Sequence, residues 1–473
     1  MLKRTDEQES ICAAIGAGEN TMVNALAGCA KSTTIIESLR DAPKAPTTIL
    51  AFNKKIKEEM EKKIKSAGLD RPDLRVQTMN GLGHGALMKT LGRINLDNDK
   101  IFNLAKDTGV KGDDLADLMY LTRTGRNLGI VPKGSVGDGL LEDTLETWEG
   151  LAEDNDIDPI LATLARDVLK KSVKAALGGT IDFDDQIYIS TLIAGSYPKT
   201  ELVYVDEAQD LSPLNHIQLR KTAKRQLVAV GDPHQAIYAW RGADSASMRN
   251  LRALREGWAD RNLSTTFRCP RVVVERQRDF VPLFKAGPNN LPGHVSFRAK
   301  WTPVIGSASA IICRNNAPLI KLAFRFLNAR VPINFLGKDI GRDMKRFYNK
   351  LSHKGKLSTK AVLEKIEALM YEENADVDRL ESLRTLLEAD PNIDSALQFL
   401  TDSKSAAIVL STGHKAKGME WENVYFLHPE LIPSKYAQAV QGPALEQEHN
   451  LRYVIETRTK NNLFLVRSDG LDL

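Results

Sequence analysis

The 473-residue chain has only four cysteines, Cys12, Cys29, Cys269 and Cys313, with no Cys-x-x-Cys spacing among them. That scatter argues against a zinc or iron–sulfur centre and against a disulfide framework. It fits a reducing compartment, so a cytoplasmic location is expected. No apolar run reaches the roughly 18 residues of a membrane span, so none is expected. The first residues, Met1 to Gln8, lack the apolar stretch of a signal peptide. Internal repeats and low-complexity segments are also missing. Net charge is a modest +4, which permits a polyanionic partner without requiring one. The lysine clusters at 54–57 and 62–65 are diluted by Glu58, Glu59 and Glu61, and read equally as a solvated helix face.

What remains is ordinary soluble composition, 42% hydrophobic and 27% charged, in a chain long enough for two to four structural units. Short apolar, β-branched runs recur at 47–52, 202–206, 227–231, 310–313, 333–336, 406–410, 424–427 and 463–466. Buried strands of parallel sheets read this way, with helical stretches between them. Ile56, Met60 and Ile64 repeat every four residues, one face of a helix. Residues 88–178 and 341–404 show helical periodicity and no convincing strand. The expected fold is α/β, two parallel-sheet cores, each interrupted by a helical insertion.

The segment "ALAGCAKST" (25–33) lacks both glycines of a phosphate-binding loop, with Ala25 and Ala30 in their places, yet keeps Lys31 and Ser32 between an apolar run and a helix. Such a loop needs backbone N–H groups around phosphate oxygens, a lysine for the β- and γ-phosphates and a hydroxyl for Mg²⁺. Alone it equally reads as an ordinary strand–turn–helix. "LVYVDEAQD" (202–210) adds Asp206, suited to Mg²⁺, and Glu207, suited to activating water, at the end of a buried strand. A further strand ends in "GDPHQAIYAWRGAD" (231–244). There Gln235 can bond a γ-phosphate or its attacking water. Tyr238 and Trp240 are either base-stacking platforms or core aromatics.

The ordered set resembles the superfamily 1 helicases of the UvrD/Rep/PcrA type, and in particular the F-box DNA helicase branch and its phage relatives. "TDEQESI" (5–11) resembles the Q motif and "ALAGCAKST" motif I. "ILAFNK" (49–54) is similar to motif Ia, "VYVDEAQD" to motif II and "VGDPHQAIYAWRGA" to motif III. "LSTTFRCP" (263–270), "LSTGHKAKGMEWENV" (410–424) and "NLRYVIETRTK" (450–460) resemble motifs IV, V and VI. The resemblance spans nearly the whole chain.

It implies two RecA-like cores, 1A (1–87 and 179–261) and 2A (262–340 and 405–473), with helical insertions 1B (88–178) and a small 2B (341–404). It implies ATP and Mg²⁺ as cofactors, with ATP between the cores. Gln8 would meet adenine, Ala27, Gly28, Cys29, Ala30, Lys31, Ser32 and Thr33 the phosphates, Phe267 the adenine face and Glu420 the ribose. Ser32 and Asp206 would hold the metal, Glu207 would be the base, Gln235 the γ-phosphate sensor, and Arg268 and Arg458 arginine fingers. Phe52, Asn53, Asn80, Tyr238, Trp240, Arg241 and His414 would contact DNA. Single-stranded DNA and tailed duplexes are the expected partners, moved 3′ to 5′; no protein partner is implied.

Four departures stand out: Ala30, Asn80 in place of a usual histidine, Met419 and Thr459. Two alternatives stay open: an RNA translocase, and an ATP-regulated binding module that hydrolyses little.

Overall fold

The computed structural model describes residues 3–131, 140–155, 157–193, 197–238, 246–304, 308–336, 338–353, 355–372, 375–401 and 408–473. The chain divides into two compact units, Met1–Leu26 with Ala30–Ser264, and Ala27–Cys29 with Thr265–Leu473. Each is built on a six-stranded parallel sheet, as the α/β expectation requires.

In the first unit, β1 (Asn20–Ala25), β2 (Thr47–Ala51), β3 (Leu74–Thr78), β4 (Thr200–Val205), β5 (Ala223–Gly231) and β6 (Trp258–Leu263) lie in the order β6-β1-β5-β4-β2-β3. The central strands are apolar because both faces of a parallel sheet are covered; every residue of β2 is buried. Helix α1 (Asp6–Gly16) starts at a capping box. The Thr5 hydroxyl accepts from the Gln8 N–H, and the Gln8 side chain accepts from the Thr5 N–H. Helix α2 (Lys31–Ser38) begins directly after Ala30. Helix α3 (Lys54–Ser66) buries Met60 and Ile64, and its lysines form surface pairs with Glu58, Glu59 and Glu61. That pairing favours the solvated-face reading of this lysine cluster.

Residues 88–178 are mostly helical, and the helices Lys100–Lys106, Asp113–Asn127, Leu145–Glu153 and Ile160–Leu177 share a core of their own around the fully buried Trp148. The expected absence of strands needs correction. Asn95–Leu96 pairs with Thr180–Ile181, and Ile130–Val131 with Leu141–Glu142. These strands are only two residues long, too short to leave a periodicity in sequence. A buried ionic cluster closes this region. Arg126 bonds Asp182 at 2.7 Å, Asp184 at 2.7 Å and Asp185 at 3.0 Å, while Lys100 pairs with Asp185. One buried guanidinium facing three carboxylates repays its desolvation through geometry and multiple bonds.

In the second unit, β7 (His294–Arg298), β8 (Ser309–Cys313), β9 (Ile333–Leu336), β10 (Ile408–Thr412), β11 (Trp421–Leu427) and β12 (Thr459–Val466) run β7-β12-β11-β8-β10-β9. Residues 341–404 supply the helices Thr359–Leu369, Val377–Ala389 and Ile393–Thr401 and most of Lys338–Leu351. Their buried leucines, among them Leu383 and Leu386, join the same core as Ile311 of β8 and Phe326 of the helix Asn316–Asn328. Asp378 reinforces this by accepting from the Asn316 and Ala317 N–H groups, both at 2.9 Å. Among the described residues no helix is long and apolar enough to cross a membrane.

Candidate nucleotide site

Parallel strands present their carboxyl ends on one edge, and three neighbouring strands of the first unit carry the expected residues there. β1 leads into the Ala25–Ser32 loop, β4 into Asp206-Glu207, and β5 into Asp232 and Gln235; β5 lies between the other two. Lys31 Nζ reaches Glu207 Oε1 at 2.8 Å. The other Glu207 oxygen accepts from Gln209 Nε2 at 2.5 Å, and Gln209 Oε1 accepts from the Asp232 N–H at 3.0 Å. Gln235 donates to Asp232 at 2.7 Å. The structure thus gathers Lys31, Asp206, Glu207 and Gln235, and adds Gln209 and Asp232, which sequence reasoning left out. Asp232 carried the same signal as Asp206, an acid at the end of an apolar strand.

Electrostatically the cluster has more acid than base. Burial raises the Asp206 carboxyl, neighbouring Glu207 raises it further, and Lys31 offsets only part, leaving it at about 7. Burial also raises Asp232, against the opposing pull of Lys31 and the Gln235 bond. Burial would lower Lys31, but Glu207, Asp206 and Asp232 more than reverse this and hold its ammonium above the ordinary lysine range. A buried group of carboxylates compensated by one lysine is short of positive charge, which suits a divalent cation. Among the described residues no three His, Cys, Asp or Glu side chains converge as a ready-made metal cage. Magnesium carried with a nucleotide needs only one or two protein ligands, the rest being phosphate and water, so Asp206 and Ser32 fit that demand.

Glu207 has φ 53° and ψ 42°, left-handed for a residue with a side chain. Gln8 is buried and donates to Thr34 Oγ1 at 3.0 Å, so its amide also serves α1 and α2 packing.

In the second unit, Gly28 O accepts from the Phe267 N–H at 2.9 Å, and the Ala27 N–H bonds the Tyr453 hydroxyl at 2.9 Å. A Cβ at Gly28 would come within 2.6 Å of Thr266 Oγ1 and Arg268 Cβ, and its φ is +71°, so only glycine fits. Phe267 is 51% exposed, available for stacking. Arg268 Nε pairs with Glu420 Oε2 at 2.6 Å. Arg458 is only 1% exposed, and its guanidinium donates to Val454 O at 2.8 Å and Met419 O at 3.3 Å. The structure therefore brings Arg268 and Glu420 together and ties Arg458 to backbone carbonyls.

Of the expected DNA contacts, Phe52 is 48% exposed just past β2. Asn53 caps α3 by accepting from the Ile56 N–H at 2.9 Å. Asn80 donates to Phe183 O at 3.1 Å. Tyr238 and His414 are partly exposed, whereas Trp240 and Arg241 lie outside the described residues.

Residues 4–254, more than half of the chain, match the family model for the UvrD/REP helicase N-terminal domain. The chain belongs to the UvrD/REP helicase family. Residues 346–469 of this UvrD/REP chain also match the UvrD-like helicase C-terminal domain. It is similar to F-box DNA helicase protein 1 of Schizosaccharomyces pombe, 24% identical over 514 aligned residues that cover 98% of this chain and 57% of the relative. RecBCD enzyme subunit RecB of Mycolicibacterium smegmatis is 30% identical over 197 residues, covering 38% of this chain and 17% of the relative. ATP-dependent DNA helicase PcrA of Bacillus subtilis is 27% identical over 221 residues, 42% of this chain and 28% of the relative. The chain thus spans just over half the length of the first of these relatives and less of the others.

The departure of this UvrD/REP chain at Ala30 now has a geometry: φ 62° and ψ 39°, left-handed. The loop keeps the turn that glycine would take freely, and the alanine methyl carries strain of about 1 kcal/mol. Ala30→Gly is expected to raise stability by up to about 1 kcal/mol and to lower the ATP Michaelis constant rather than switch turnover on. Urea melts and steady-state ATP kinetics check this. A less stable variant, or one in which hydrolysis appears only after substitution, contradicts it.

Proposed function

We propose that the chain is an ATP-dependent DNA helicase that moves 3′ to 5′ along single-stranded DNA. The Lys31–Glu207 pair, set beside Asp206 and Asp232 on one strand edge, is the observation that carries the ATP-hydrolysing part of the reading, and the direction rests on the family resemblance alone. Lys31 exchanges Glu207 for the β- and γ-phosphates when ATP enters, which frees Glu207 to take the proton of the attacking water. Asp206 and Ser32 would hold Mg²⁺, which would supply charge neutralisation at the phosphates. Gln235 turns from Asp232 to the γ-phosphate, and Arg268 aims positive charge at it, joined by Arg458 once its guanidinium leaves the Val454 and Met419 carbonyls. Phe267 stacks on adenine, Gln8 bonds its edge, and Glu420 takes the ribose.

The half-exposed Phe52 and the partly exposed Tyr238 support the assignment of a base-stacking path. Trp240→Ala is expected to weaken single-stranded DNA binding by about 1–3 kcal/mol and to leave DNA-free ATP affinity unchanged. Fluorescence anisotropy with a labelled oligonucleotide measures it, and unaltered DNA affinity returns Trp240 to a packing role.

The function itself is tested by Mg²⁺-dependent ATP turnover with matched single-stranded DNA and RNA. Stimulation by DNA is expected. Stimulation by RNA alone would make the chain an RNA translocase, and absence of turnover would make it a nucleotide-regulated binder.

A further inference from the structure

Glu420 receives two cations, one on each carboxylate oxygen: Arg268 Nε at 2.6 Å on Oε2 and Lys460 Nζ at 2.7 Å on Oε1. The two contacts differ in support. Glu420 immediately precedes β11 and Lys460 is the second residue of β12, and these strands pair with Trp421 opposite Thr459. The Trp421 N–H also donates to Arg458 O at 3.0 Å, which ties the chain next to Glu420 to the chain next to Lys460 beside a register shift in the ladder between Trp421 and Asn423. Arg268 instead follows the two-residue strand Thr265–Thr266. The Glu420–Lys460 pair thus joins neighbouring strands of one sheet, whereas Arg268, whose N–H donates to Thr266 Oγ1 at 3.2 Å, reaches Glu420 from outside that sheet.

We propose that Lys460 is a positioning residue that keeps Glu420 neutralised, so that Arg268 can leave it for the γ-phosphate of a nucleoside triphosphate. The inference rests on the reading above, in which Arg268 acts on the nucleotide. Two cations on one carboxylate leave a surplus positive charge. Lys460 repels Arg268 and competes for its partner, which loosens Arg268. When Arg268 departs, Glu420 still has Lys460, and no bare carboxylate faces the incoming polyanion. Consistent with this shared neutralisation, burial would raise the Glu420 carboxyl, yet Lys460 and Arg268 together hold it below the ordinary range. Without Lys460 the full Glu420 charge would fall on Arg268, and its release would expose an uncompensated acid.

The test measures affinity for a non-hydrolysable ATP analogue and for ADP, whose ratio reports contact with the γ-phosphate, using the full chain. Lys460→Met is expected to reduce the triphosphate preference about three- to five-fold, the scale of a half-exposed ion pair. Lys460→Arg should keep it. In Glu420→Gln, where Arg268 is no longer held, adding Lys460→Met should cost nothing further in that ratio. Retention of the preference in Lys460→Met overturns the inference. So does a loss that persists undiminished in the double variant, because Lys460 would then touch phosphate itself. Arg268→Ala separates the two failures. If it lowers the ratio while Lys460→Met does not, only the inference falls; if it leaves the ratio unchanged, the role of Arg268 falls first.

Discussion

Glu207→Gln is expected to bind ATP and to turn it over about 10²–10⁴-fold more slowly, the usual worth of a positioned general base. The amide keeps the shape of the side chain, so Gln209 and the left-handed turn at Glu207 retain a partner of the same size. What is lost is the group that accepts the proton of the attacking water. Lys31 also loses its carboxylate partner, so nucleotide affinity should hold or improve. Turnover and fluorescent-nucleotide binding, measured on the same preparation, separate the two effects. A parent-like rate would remove Glu207 from the chemistry.

Asp206→Asn should have opposite effects on activity and on stability. Metal-dependent turnover is expected to fall by about 10²-fold or more, because the carboxylate assigned to Mg²⁺ is gone. The nucleotide-free protein should become more stable at pH 8. The folded-state value of Asp206 is about 7 against an ordinary 3.8, so folding favours its protonated form. That contribution is complete below about pH 4 and is lost as pH rises through about 7. Above that, the wild type must hold a buried carboxylate against the charges of Glu207 and Asp210. The neutral amide removes the penalty, a gain on the order of 2–4 kcal/mol at pH 8 that vanishes near pH 4. Chemical melts of both proteins at pH 5 and pH 8 read this directly. A variant less stable than the parent at pH 8 contradicts the electrostatic account.

The central strands were legible in sequence because both faces of a parallel sheet are buried and the residues read as unbroken apolar runs, as in Thr47–Ala51 and Leu227–Val230. The strands that sequence reasoning passed over, β3, β6 and β7, are the edge or near-solvent strands. Segments such as "LRVQT" and "HVSFR" bury no residue fully and carry polar side chains, so they read like loops. Lys31, Asp206 and Glu207 could be read from the ends of apolar runs. Their mutual distances, and the roles of Gln209 and Lys460, depend on which strands become neighbours across the sheet. Likewise, the left-handed backbone of Ala30 cannot be seen in the letter A. It follows from the loop imposing the glycine turn on whatever residue stands there.

The account's central claim is that ATP hydrolysis by this chain drives movement along single-stranded DNA. The most direct measurement is strand separation, followed by fluorescence, on duplexes carrying either a 3′ or a 5′ single-stranded tail, with ATP or a non-hydrolysable analogue. The account predicts ATP-dependent unwinding of the 3′-tailed duplex, none with the analogue, and none with Glu207→Gln. Unwinding that starts only from the 5′ tail would reverse the direction, and ATP turnover without strand separation or movement on either substrate would contradict the claim itself.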